Sequence, residues 1–197
     1  NEYIYIQDSG KQTVTTKGMK AEIRCVEKNA FRTVVEICHE MMIPSGMGEE
    51  LQRQREMCID PYTRVANRSK ELVPMEVKTV LTLEKSGKGL RVATTICNQA
   101  KDHRVRVVMP TGLNTSTHLA DSAFEVVKRN NRHNDTWTNP CGCERQQCFA
   151  AMEDETNGLL VANRGLYEYE VLADEENAIA VTLLRSVAEM GDWGYFP

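Results

Sequence analysis

The chain has 197 residues, 41% of them hydrophobic and 26% charged, a balance that supplies a packed core and excludes wholesale disorder. No apolar run approaches the ~18 residues a membrane span requires, and a net charge of −4 argues against a broad nucleic-acid-binding surface. Seven cysteines are an odd number and cannot all pair within one chain, which fits free thiols and a cytoplasmic location. Asn1 stands where a start Met would be, so a processed chain or a piece of a longer one is expected.

Taken in chain order, the pattern is mostly of period two. Asn1–Ile6 reads as a strand and Asp8-Ser9-Gly10-Lys11 as a turn. Thr33–Cys38 is strand-like, with His39 following as a half-buried strand histidine. Glu49–Met57 has good helix formers but a thin apolar stripe, so a polar loop or one short helix fits. Val77, Thr79, Leu81 and Leu83 alternate with polar neighbours, as do Leu90, Val92, Thr94 and Ile96. Ser86-Gly87-Lys88-Gly89 lies between those runs and predicts a hairpin. Val105, Val107 and Met109 form another alternating run. Phe124–Val127 suits a strand better than the helix that Leu119–Lys128 would allow by composition.

The stretch 129–147 reads as a long irregular loop. Asn157-Gly158 and Asp174–Asn177 mark further turns. Tyr167, Tyr169 and Val171 alternate with Glu168 and Glu170, which predicts a core face and a water face. Ile179–Leu184 is apolar on both faces and predicts a central strand. The sum is an all-β fold: one large antiparallel β-sandwich over residues 1–197 with few or no helices. Leu81, Leu83, Val105, Val107, Val181 and Leu183 are placed in its core.

Candidate chemistry is sparse. Cys141, Cys143 and Cys148, with His133 upstream, are the densest set of thiolate and imidazole ligands. Their spacing is not a zinc signature, so no metal is assigned, and free or bridged thiols are the alternatives. Asp102 and His103 are either an acid/base pair or backbone caps. His118 has no evident nucleophile beside it. No phosphate-binding loop, dinucleotide fingerprint or serine nucleophile elbow is present. The residues alone therefore give a β-sandwich without a visible catalytic centre.

Three stretches add a resemblance. Asn98-Gln99-Ala100-Lys101-Asp102-His103-Arg104-Val105-Arg106-Val107, running into Met109-Pro110-Thr111-Gly112, resembles the N-x-A-x-D-H-R-L-R-V segment of glycoside hydrolase family 38. Ala120-Asp121-Ser122-Ala123-Phe124-Glu125-Val126-Val127 is similar to that family's A-D-S-x-F-x-V-V. Gly158–Val171, followed by Leu183–Val187 and Gly191-Asp192-Trp193-Gly194, resembles its late β region, and the ending looks most like the bacterial branch.

The resemblance implies the C-terminal β domain of an α-mannosidase or mannosylglycerate hydrolase, a supersandwich of the galactose-mutarotase-like kind. It implies that the Asp nucleophile and the zinc ion belong to an N-terminal catalytic β/α domain, which this chain lacks, so the chain alone is predicted to be inactive. It places no catalytic residue and no metal ligand here. It suggests Arg164, in Asn163-Arg164-Gly165, as a contact at the substrate edge, with a salt bridge to Glu168 as the alternative. Asp102 and Asp121 are given structural roles, as turn or strand caps or arginine partners.

The implied partners are the chain's own N-terminal catalytic domain and a small mannoside, with neither nucleic acid nor membrane. Homo-oligomerisation is left open. The competing expectation is a free-standing carbohydrate-binding or interaction sandwich. It is weakened by an aromatic content of 6%, since such modules expose aromatic platforms.

Overall fold

A computed structural model describes residues 13–59, 63–65, 67–132, 142–173 and 176–186. They form two compact units, one within 1–103 and 186–197, the other within 104–185. Among the described residues there are twelve strands and one helix, which is the antiparallel all-β architecture expected. The strand expected at Asn1–Ile6 lies outside the described residues, as do Asp8–Lys11, Asp174, Glu175 and the segment from Val187 to Pro197.

The first unit holds β1 (Glu22–Lys28), β2 (Arg32–Pro44), the helix α1 (Glu49–Glu56), β3 (Leu72–Glu84) and β4 (Leu90–Cys97). Its strands form one antiparallel sheet in the order β1-β2-β3-β4. The β1–β2 turn is fixed by Asn29, whose side-chain oxygen accepts from the N–H groups of Phe31 and Arg32 at 2.8 and 3.0 Å, the usual role of Asn in turns. The expected 86–89 hairpin joins β3 to β4, closed by the Gly87 N–H on the Glu84 carbonyl at 3.0 Å. Pro74 sits where β3 pairs with β2 but not β4, so its missing N–H leaves the β3–β4 ladder intact. The helix takes the short form foreseen for 49–57, with Glu49 and Glu50 in its first turn and Arg53 and Arg55 in its last, matching the helix dipole.

The second unit is a closed sandwich. One sheet runs β10 (Gly158–Ala162), β9 (Phe149–Glu153), β6 (Thr117–Asp121), β7 (Val126–Asn130). The other runs β5 (His103–Met109), β12 (Ala178–Ser186), β11 (Glu168–Leu172), β8 (Cys143–Arg145). Ala120, Ala150 and Met152 from the first meet Tyr169, Ile179 and Val181 from the second in one buried cluster. Burying the two facing apolar surfaces is what holds the layers together.

Several expectations are corrected. Leu83 is 55% exposed and Leu81 only half-buried, because the alternation in β3 defines an apolar face but does not by itself supply a cover for it. Val105 and Leu183 are half-buried, and Val107 packs against the core without being enclosed; of the six residues placed inside, Val181 is fully buried. Tyr167 precedes β11 and is 60% exposed, while Tyr169 is fully buried. Phe124 lies in a bend before β7 and is exposed; two residues before it, the Ser122 N–H donates to the Glu125 carbonyl at 2.9 Å, closing the turn.

Candidate functional site

Arg164 sits in the connection between β10 and β11. The turn needs Gly165, whose φ is +86° and which has no heavy atom near the position of an added Cβ. Glycine is therefore required here by backbone conformation and not by space. Asn163 braces the turn at both ends: its N–H donates to the Cys148 carbonyl at 2.7 Å, and its side-chain oxygen accepts from the Leu166 N–H at 3.0 Å. Buried Gln146 adds two bonds, from its N–H to the Tyr167 carbonyl at 2.9 Å and from Nε2 to the Leu166 carbonyl at 3.0 Å.

Arg164 itself is exposed and makes no hydrogen bond or ion pair with the described residues. The alternative partner, Glu168, is taken. Its carboxylate receives the Arg185 guanidinium at 2.6 Å and the Thr182 hydroxyl at 2.6 Å, with Arg104 at 3.6 Å.

Glu168 and Glu170, expected to face water, instead form a half-buried ionic cluster. Arg104 and Arg106, which share one face of β5, both reach Glu170, and Arg104 also donates to the Cys143 sulfur at 2.8 Å. Burial alone would raise the Glu168 carboxyl, but hydrogen bonds from Thr182 and Arg185 and the charge of Arg104 hold it below the ordinary carboxylate range. Gly142 lies beside this cluster, where an added Cβ would sit 2.6 Å from the Glu170 carboxylate and oblige that side chain to shift.

A second polar network, inside the sandwich, was not visible in the sequence. His118 is buried and contacts Asn131 Oδ1 through Nδ1 at 2.9 Å and the Tyr169 hydroxyl through Nε2 at 2.7 Å. The Asn131 amide is oriented by its own donation to the Thr115 carbonyl at 2.8 Å, so Nδ1 is the donor in that pair. Arg129 reaches both the Tyr169 hydroxyl at 2.8 Å and Glu144 at 2.9 Å. Burial pushes the Tyr169 phenol strongly up. Burial would also raise Glu144, but the His118 contact and the Arg129 charge outweigh it and lower the carboxyl. These groups satisfy one another, as buried polar groups must.

The remaining sequence candidates are scattered. Asp102 has a left-handed φ of 53° and faces Arg55 at 3.6 Å, while its carbonyl accepts from Arg68; no hydrogen bond joins it to His103. Asp121 caps the β8–β9 connection, its carboxylate accepting from the Cys148 N–H at 3.1 Å and its carbonyl from the Gln147 N–H at 2.8 Å. His39 is half-buried on β2 opposite Val77. Cys141 and His133 lie outside the described residues. Among the described residues no three His, Cys, Asp or Glu side chains converge to hold a metal.

The comparisons with known proteins bear on the whole chain. A putative mannosylglycerate hydrolase of Halalkalibacterium halodurans is 40% identical over 196 residues, covering 100% of this chain and 22% of that protein. The crystal structure of an α-mannosidase from Enterococcus faecalis superposes with a TM-score of 0.93 at 43% identity, over 98% of this chain and 22% of that one. A second Enterococcus faecalis structure, of a protein in glycosyl hydrolase family 38, gives a TM-score of 0.89 at 41% identity over the same shares. The chain thus spans about a fifth of the relatives it matches. The family model for the glycosyl hydrolases family 38 C-terminal domain matches residues 1–189, and the chain belongs to that family as its C-terminal domain.

Proposed function

We propose that this domain serves a longer retaining α-mannosidase-type hydrolase that acts on small α-mannosides, mannosylglycerate among them, in the cytoplasm. The observation that carries the reading is the full-length likeness of the chain to about a fifth of proteins named as an α-mannosidase and a mannosylglycerate hydrolase. Retaining hydrolysis needs a nucleophile and an acid facing each other across the scissile bond, ~5 Å apart. Three half-buried carboxylates of the second unit are committed otherwise: Glu168 and Glu170 to arginines, Glu144 to Arg129 and Tyr169. The chemistry, and the zinc that would grip the sugar hydroxyls, belong in this reading to a preceding catalytic domain.

The role assigned to this chain is to hold Arg164 at the substrate edge. An exposed guanidinium on a braced turn presents its planar fork of donors to sugar hydroxyls or to the glycerate carboxylate. The test is twofold. The longer protein should hydrolyse an aryl α-mannoside and release the α-anomer first, as followed by NMR. Arg164→Ala in that protein should lose kcat/KM while keeping its fold. Release of the β-anomer would refute the retaining assignment, and an unchanged kcat/KM would refute the role of Arg164.

A further inference from the structure

The second unit closes its core between two sheets, but in the β1-β2-β3-β4 sheet one apolar face is left exposed over much of its extent among the described residues. The register places Cys25, Val35, Leu81 and Val92 in one row across that face. The row on one side is Ile23, Ile37, Thr79 and Thr94. On the other side it is Thr33, Leu83 and Leu90, with Lys28 at the rim beyond the β1 bulge. Ile23, Leu83, Leu90 and Val92 are 66%, 55%, 53% and 52% exposed. Further along the same face Met41, Ile43 and Met75 are buried. The opposite face is charged and self-paired, with Lys78 on Glu36, Arg24 on Glu22 and Arg91 on Glu84.

One face is thus built for water and the other for a cover. Sheets hide such a face under a second layer at about 10 Å, and an open apolar patch of this extent marks an interaction surface. The rows carry Ile, Val and Leu and no acidic side chain, which suits an apolar pleated partner and not a charged ligand.

We propose that the open face docks a β layer supplied by the polypeptide that precedes this domain in a longer family 38 chain. The inference rests on the reading of the chain as one domain of such a protein. The match is to a C-terminal domain and leaves more than three-quarters of each relative outside it, which is ample chain to furnish the layer.

The test is hydroxyl-radical footprinting of the wild-type longer protein, with rates at Leu83, Leu90 and Val92 normalised to intrinsic side-chain reactivity and sedimentation measured in parallel. Leu160, on β10 of the second unit and 57% exposed, serves as the leucine reference. Severalfold protection of Leu83 and Leu90 in the monomer, at all concentrations, supports the proposal. Reactivity equal to that of an exposed leucine overturns it. Protection that appears only with a dimer and vanishes on dilution assigns the face to a second copy, and also overturns it. If cells make this domain only as a separate 197-residue product, the reading of a longer hydrolase falls, and the proposed occupant with it.

Discussion

At the scale of single residues, Arg164 and Glu168 show how one local sequence divides into a free cation and a committed anion. Arg164 has no partner among the described residues and stands on a turn fixed by Asn163 and Gln146. Arg164→Ala in the longer enzyme is expected to cut kcat/KM by about tenfold to a hundredfold, the loss of a charged hydrogen bond worth ~1–3 kcal/mol. Because the side chain is exposed, the melting temperature should not move, and a fall in Tm equal to that of a core variant would mean the arginine is structural. Glu168 behaves oppositely. Its carboxyl is held below the ordinary range in the fold, so the unfolded chain binds more protons in that window. The stability it contributes is therefore present above the ordinary value of ~4.3 and lost as pH falls through the lower folded value. Glu168→Gln should cost about 2 kcal/mol at neutral pH by leaving Arg104 and Arg185 under-compensated, and should flatten the acid limb of a Tm-against-pH curve. An unaltered acid limb would show that the cluster contributes nothing to the pH dependence.

At the scale of elements, the strands were legible and their covers were not. Period-two alternation in β3, β4, β5 and β11 located all four, because it follows from the pleat itself. It could not say which residues of a face would be enclosed: Tyr167 and Tyr169 stand in the same alternating run, yet one is 60% exposed and the other 0%. The His118–Tyr169 contact joins residues 51 apart in sequence, and no local spacing encodes a bond made across two sheets. The Arg164 turn was legible through its own Asn-Arg-Gly, whereas Gln146, which braces it from the β8–β9 connection, was not.

Two variants test the elements. Tyr169→Phe keeps the ring but removes the hydroxyl that His118, Arg129 and Glu144 share, and should cost ~1–3 kcal/mol in urea unfolding. Val107→Asp, against the buried cluster, should cost about 3 kcal/mol or more by placing an unpaired charge on the core face. Wild-type stability of Val107→Asp would reverse the inward and outward assignment of β5.

At the scale of the whole molecule, the chain combines a closed sandwich with a sheet that carries an open apolar face. Among the described residues the His118–Tyr169 network is mutually satisfied, and the exposed Arg164 on its braced turn fits a contact rather than a reaction. In the proposed reading the domain supports chemistry performed elsewhere in a longer polypeptide, and that is the central claim. A contact of the size assigned to Arg164, ~1–3 kcal/mol, is far below the 8 kcal/mol or more by which enzymes lower their barriers, roughly speaking. The most direct measurement is therefore turnover of an aryl α-mannoside by the purified 197-residue chain beside the longer protein, each with and without added zinc. The account predicts rapid hydrolysis by the longer protein and none above background by the domain. Hydrolysis by the domain at a rate near that of the longer protein would contradict it.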